Sequence, residues 1–167
     1  TMKPIIYVAN IKEDEIGKEN SYVKDLKDHA NKDHAEVIVL CAKIEEELSG
    51  FEDEEKKAFL NDLGIEESGL DKLIRASYHL LGLQTYFTAG PKEVRAWTFK
   101  KGMKAPACAG IIHSDFEKGF IRAEVISFDD YKKYKGEKGA KEAGKLRSEG
   151  KEYVMQDGDV CLFRFNN

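Results

Sequence analysis

The chain has 167 residues, 41% hydrophobic and 35% charged, enough for one ordinary domain or two small ones that bury a working core without staples. No apolar stretch approaches the roughly 20 residues that span a bilayer, and Thr1 to Pro4 run straight into a strand pattern without the apolar segment and cleavage site of a secretory signal, so a cytosolic location without a membrane partner is expected. The net charge of −4 is unevenly placed, with 11 Lys and Arg against 19 Asp and Glu in residues 1–83 and 16 against 12 in residues 84–167, so only the second part suits a polyanion.

In chain order, "PIIYVAN" (4–10) is a β-branched apolar run that suits a strand buried on both faces of a parallel sheet. "SYVKDLKDHANKD" then sets Tyr22, Val23, Leu26 and Ala30 on one helical stripe behind a Ser21 cap. "EVIVLCA" (36–42) is a second strand like the first, which completes a βαβ unit. Helical patterns follow in "EEEL", "DEEKKAFLNDLG" and "SGLDKLIRASYHLLG". In the last of these, Leu70, Leu73, Ile74, Ser77, Leu80 and Leu81 recur at helical spacing behind Ser68. Two parallel strands do not make a stable doubly wound sheet, so residues 1–83 read as the end of a larger α/β domain. In such sheets ligands bind beyond the carboxyl ends of the strands, which here are Asn10-Ile11-Lys12-Glu13 and Cys41-Ala42-Lys43.

Residues 84–167 read as a small mixed domain. "QTYFT" and "EVRAWTF" form a hairpin around Ala89-Gly90-Pro91-Lys92, with Val94, Ala96 and Thr98 alternating against Arg95, Trp97 and Phe99. "APACAGIIHSDFEKG" is a helix with Ala109, Ile112 and Phe116 near one face, and "GFIRAEVISF" is a strand. A polar connection leads to a closing hairpin around Gln156-Asp157-Gly158-Asp159. That order predicts a β-grasp fold. Within the connection, Lys132, Lys133, Lys135, Lys141, Lys145 and Arg147 form the most basic stretch; it suits contact with RNA phosphates or serves as a solvated Lys- and Gly-rich link.

Other constellations carry less. Cys41, Cys108 and Cys161 are odd in number and lie in apolar surroundings, so they read as core residues rather than disulfide partners or zinc ligands. His29 and His34 are five apart, which is wrong for one helical face, and suit a solvated helix end. His113-Ser114-Asp115 lacks a nucleophile elbow and reads as a helix terminus. No metal site and no catalytic residue is assigned.

"NIKE" (10–13) and "CAK" (41–43) resemble the N-K-x-D and S-A-K loops that read the base in P-loop GTPases, with Ile11 in place of Lys and Glu13 in place of Asp. That substitution resembles the YchF subfamily of Obg-like P-loop ATPases, whose N-x-x-E motif accompanies a preference for ATP. "YFTAGPKEVRAWT", "IIHSDFEKGFIRAEV" and "GKLRSEGKEYVMQDGDVCLFRFN" resemble the TGS domain that closes such proteins. The resemblance implies an α/β fragment of a P-loop NTPase domain over 1–83, followed by an α+β, ubiquitin-like β-grasp TGS domain over 84–167. It places Asn10 and Glu13 in the adenine-reading loop, Ile11 against it, and Ala42 and Lys43 in the support loop.

For the intact parent, the resemblance implies ATP or GTP hydrolysis with Mg2+, and ribosome or structured RNA as partner, with no DNA. The sequence has no G-x-x-x-x-G-K-[ST] motif, so this chain alone is expected to be inert and to hold no cofactor. The rival expectation, from another class, is a stand-alone β-grasp module that binds RNA or a protein without nucleotide chemistry.

Overall fold

Two short apolar runs make the first sheet: β1 (Ile6–Asn10) and β2 (Glu36–Leu40) lie parallel, with Ile6 opposite Glu36 and Asn10 opposite Leu40. A parallel pair needs a crossover, and α1 (Ser21–Lys32) supplies it. The computed structural model describes residues 3–18, 20–91 and 93–166, and these fall into two compact units, Thr1–Leu80 and Leu81–Asn167. The cap of α1 is Asn20 rather than Ser21: its Oδ1 accepts from the backbone N–H groups of Tyr22 and Val23, and Ser21 becomes the first helical residue. Ala30 is buried, with Val23 and Leu26 half-buried, whereas Tyr22 is 82% exposed and drops out of the expected stripe. The strands are not buried on both faces either. Ile38 is buried, but Val8 is 45% exposed, because two strands are too narrow to be covered on both sides by the helices that pack on them.

After β2 come α2 (Ala42–Leu48), α3 (Asp53–Asp62) and α4 (Gly69–Leu80). Cys41, Ile44, Leu48 and Leu60 form a small core, against which Ile11, Phe51, Phe59 and Leu63 pack. The Ser68 hydroxyl caps α4 by accepting from Asp71 N–H at 3.0 Å, as the sequence predicts. The buried face of α4 differs from the expected one. Gly69 and Ala76 are buried, while Leu70, Ile74 and Leu81 are exposed. The cause is close approach to β2: a Cβ on Gly69 would lie 2.3 Å from Leu40 Cβ. The helix therefore meets the sheet along its small residues, and Gly69 N–H donates to Glu45 Oε1 at 2.7 Å.

The second unit is a mixed five-stranded sheet in the order β4-β3-β7-β5-β6. β3 (Leu83–Ala89) and β4 (Val94–Lys100) form the expected hairpin, closed by Gly90 N–H donating to Glu93 O at 2.9 Å; Lys92 of the predicted turn lies outside the described residues. Trp97 and Phe99 face the same side as Tyr86, where α5 (Ala105–Ile112) brings Ala105, Cys108 and Ala109 into the core. The expected single helix breaks at His113, which is extended at φ −159 and ψ 141, and α6 (Ser114–Lys118) follows. The His113 ring caps α6 through Nδ1, which accepts from Asp115 N–H at 3.2 Å.

β5 (Phe120–Ser127) pairs antiparallel with both β7 (Asp159–Phe165) and the short β6 (Arg147–Glu149), and β7 runs parallel to β3. Two further expectations are corrected in this half. The polar connection is folded, with α7 (Phe128–Lys133) capped by the Ser127 hydroxyl and α8 (Glu137–Glu142) anchored by the buried Ala140. The closing hairpin does not form. Val154 makes an isolated antiparallel bridge to Lys104, and the Asp-Gly turn docks on β3, where Thr85 N–H donates to Asp157 Oδ1 and Gly158 N–H donates to Thr85 O.

All three cysteines are buried. Burial pushes the Cys108 thiol from 9.0 up to about 12, and burial with the neighbouring Asp159 raises the Tyr153 hydroxyl from 10.0 to about 12. Both groups ionise more readily unfolded than folded. The stability they contribute is therefore complete below their ordinary values and is lost as pH rises through the folded ones. The melting temperature of the second unit should fall as pH is raised from 9.0 to about 12, and a calorimetric scan showing a constant midpoint across that range would contradict this.

Candidate functional site

The carboxyl ends of β1 and β2 sit side by side because the pairing is parallel and in register up to Asn10 and Leu40. Ile11 N–H continues the ladder to Leu40 O at 2.9 Å. Two side-chain bonds then join the loops. Asn10 Oδ1 accepts from Ala42 N–H at 3.0 Å, which satisfies a free donor at the start of α2 and fixes the second loop against the first. Lys43 Nζ donates to Glu13 Oε2 at 2.7 Å. The structure thus brings Asn10, Glu13, Ala42 and Lys43 together. Ile11 lies beside them, with its side chain packed on the Cys41, Ile44, Leu48 and Leu60 core.

All of these but Ala42 border an open cleft of about 710 Å³, with Ile11, Cys41 and Leu63 as its apolar wall and Asn10, Glu13 and Lys43 as polar groups. A volume of that order suits a small planar ligand. The Glu13 carboxylate stands on a 3-10 turn, Glu13–Glu15, that no pattern in the sequence marks. Its conformation is held by Glu15, whose Oε2 accepts from Lys12 N–H at 2.9 Å and whose Oε1 accepts from Asn20 Nδ2 at 2.8 Å. The acidic run at 13–15 therefore divides its work, with Glu15 as a brace and Glu13 facing the cleft. The hydrogen bond and charge of Glu13 hold the Lys43 ammonium above its ordinary pKa.

In the second unit, Lys132 and Lys133 lie on α7, Lys135 follows it at φ 57, Lys141 lies on α8 and Lys145 just beyond, all exposed. Arg147 differs from these lysines. Its Nη2 donates to Tyr153 OH at 3.1 Å and lies 3.4 Å from Asp159 Oδ1, its Nη1 is 3.3 Å from Glu149 Oε1, and its guanidinium lies over the Tyr153 ring. "GAKEAGKL" (139–146) matches a phosphate-binding loop except for Leu146, but here it spans the end of α8 and its exit, not a strand-to-helix loop.

Comparison with known proteins gives a consistent result. The family YchF-GTPase_C, described as "Protein of unknown function (DUF933)", matches residues 83–166. Ribosome-binding ATPase YchF of Bacillus subtilis (strain 168) is 65% identical over 170 residues, covering 99% of this chain and 46% of that protein. The protein of the same name from Haemophilus ducreyi is 59% identical over 166 residues with the same coverage. Among solved structures, the Schizosaccharomyces pombe YchF GTPase superposes with a TM-score of 0.87 at 38% identity, over 97% of this chain and 43% of that one. The chain spans a little under half the length of these relatives. With the family pattern over its second half and this identity along its length, the chain belongs to the YchF family.

Proposed function

We propose that the chain is the carboxyl-terminal part of a ribosome-binding, YchF-type ATPase acting in the cytoplasm, in which residues 1–83 supply the base-reading loop of a P-loop NTPase domain and residues 84–167 are a TGS β-grasp module. The observation that carries the first role is the Asn10–Ala42 bond, which ties two strand-end loops into one wall of a cleft. With Oδ1 occupied, the Asn10 amide nitrogen is left to donate to a purine N7, and the Glu13 carboxylate, an acceptor only, suits the exocyclic amine of adenine. Ile11 supplies apolar contact for the ring. The exposed Ile5, Val8, Leu70 and Ile74 support a first unit that completes its core within a longer protein.

The base end of a nucleotide fits these residues, whereas the phosphate end does not. Among the described residues no group of three or more His, Cys, Asp or Glu side chains could hold a metal ion. In the intact protein we assign Mg2+ and the phosphates of ATP or GTP to residues outside this chain, since its sequence carries no G-x-x-x-x-G-K-[ST] motif. The 167-residue chain should show no Mg-ATP turnover above a matched blank; release of phosphate by the pure chain would overturn this assignment.

For the second unit, we assign ribosomal RNA phosphates to the exposed Lys132, Lys133, Lys135, Lys141 and Lys145, with Arg147 instead bracing the Asp159 network. Reversing Lys132, Lys133 and Lys141 to Glu in the intact protein should weaken ribosome association and flatten its salt dependence, by about 0.7 in log-log slope for each single-stranded phosphate no longer neutralised. Sedimentation with ribosomes over a salt series reads both, and unchanged binding would move the partner to another face.

A further inference from the structure

The Lys43 ammonium has two carboxylates within reach, and they lie on different elements. Glu13 Oε2 in the loop after β1 is 2.7 Å away, and Glu47 Oε1, one turn further along α2, is 3.9 Å away. The backbone of Lys43 is fixed, because the preceding residue is held by Asn10, so exchange between the two partners needs side-chain rotation alone. We propose that Lys43 is a latch on the base cleft: it occupies the Glu13 carboxylate when no nucleotide is bound, and a purine amine displaces it towards Glu47. This rests on the base-reading role given to Glu13 above.

The geometry favours a latch over a permanent brace in two respects. The Lys43 and Glu13 side chains are 65% and 45% exposed, so their ion pair is weak and screened by salt. Glu15, which does brace the loop, is tied on both oxygens to Lys12 N–H and Asn20 Nδ2. A ligand that takes Glu13 Oε2 displaces the ammonium that holds it, but that ammonium keeps an anionic partner in Glu47, so the exchange costs little. Lys43 thus acts on the base through the Glu13 carboxylate, which makes it a positioning residue.

The test is calorimetry on the full-length protein with the β,γ-imido analogue of ATP and, as a probe without a base, inorganic tripolyphosphate, both with Mg2+. Lys43→Met should bind the ATP analogue roughly two- to fivefold more tightly than wild type at low salt, the range set by a weak exposed pair. The difference should shrink as KCl rises from about 50 to about 500 mM, and tripolyphosphate affinity should not change. Tightening is opposite in sign to the general effect of removing a positive charge from a polyanion site, so the outcome is diagnostic. Lys43 is exposed, and Lys43→Gln serves as a second variant with the same expectation. If both variants bind the analogue no tighter than wild type while Glu13→Ala weakens it, the latch is overturned and the base-reading role stands. If Glu13→Ala leaves the affinity for the analogue unchanged, the base-reading role falls and the latch with it.

Discussion

In the full-length protein, Ile11→Lys combined with Glu13→Asp should shift nucleotide preference from ATP towards GTP by roughly fivefold or more, since a well-made bidentate base contact discriminates by about 1–3 kcal/mol. The double change restores the N-K-x-D pattern and withdraws the carboxylate by one methylene. It also removes the reach that lets Glu13 meet Lys43 at 2.7 Å. Ile11 is half-buried on the small core of the first unit. A lysine stem covers much of the same surface with its methylenes, so the change costs about 1 kcal/mol of apolar contact and leaves the fold in place. Affinities for both nucleotides measured by calorimetry decide the matter, and an unchanged ratio would remove Asn10 and Glu13 from base recognition.

The largest stability effect should come from Asp159→Ala. Asp159 is 2% exposed at the start of β7 and accepts from Tyr153 OH at 2.8 Å, from Gln156 N–H at 2.9 Å and from Arg147 Nη2 at 3.4 Å. Truncation leaves a half-buried hydroxyl, a backbone N–H and half of a guanidinium without their acceptor, a loss of about 3 kcal/mol at about 1 kcal/mol for each hydrogen bond. Arg147 is partly exposed and can be rehydrated, which keeps the figure from rising further. For a domain of this size that is a fall in melting temperature of about 10 °C or more. Glu149→Ala, which removes the other carboxylate beside Arg147, should cost under about 1 kcal/mol. Equal shifts for the two variants would deny Asp159 its place at the centre of the network.

Local signals served well where the elements are local. The Ser68 cap, the β3–β4 hairpin and the parallel run of β1 and β2 all follow from short patterns, and the Asn10 and Ala42 loops fall at strand ends where the sequence puts them. What the sequence hid depends on partners far along the chain. The Asp-Gly turn at 157–158 predicts a hairpin, but parallel pairing with β3 pulls β7 away from the preceding segment. The stretch after β5 reads as solvated because its charges are dense. It folds because Ser127 caps α7 and Phe128 packs on Phe87. The Glu13–Lys43 pair joins residues thirty apart, which no periodicity reveals. The stripe on α4 misled for a different cause, since apolar spacing marks a face without telling which neighbour it meets.

The close approach at Gly69 gives the loops proposed to read the base a back wall. Leu40, which leaves no room for a side chain at position 69, is the last residue of β2 and accepts the Ile11 N–H. Pushing Leu40 outward would move Cys41 and Ala42 with it, and Ala42 is the residue Asn10 holds. A methyl group added at position 69 would therefore act as a wedge driven from behind, and on the proposed base-reading role it would loosen nucleotide recognition while leaving Asn10, Ile11 and Glu13 unaltered. In a genetic screen such a variant would be indistinguishable from a ligand-contact mutant, although the fault lies in helix spacing.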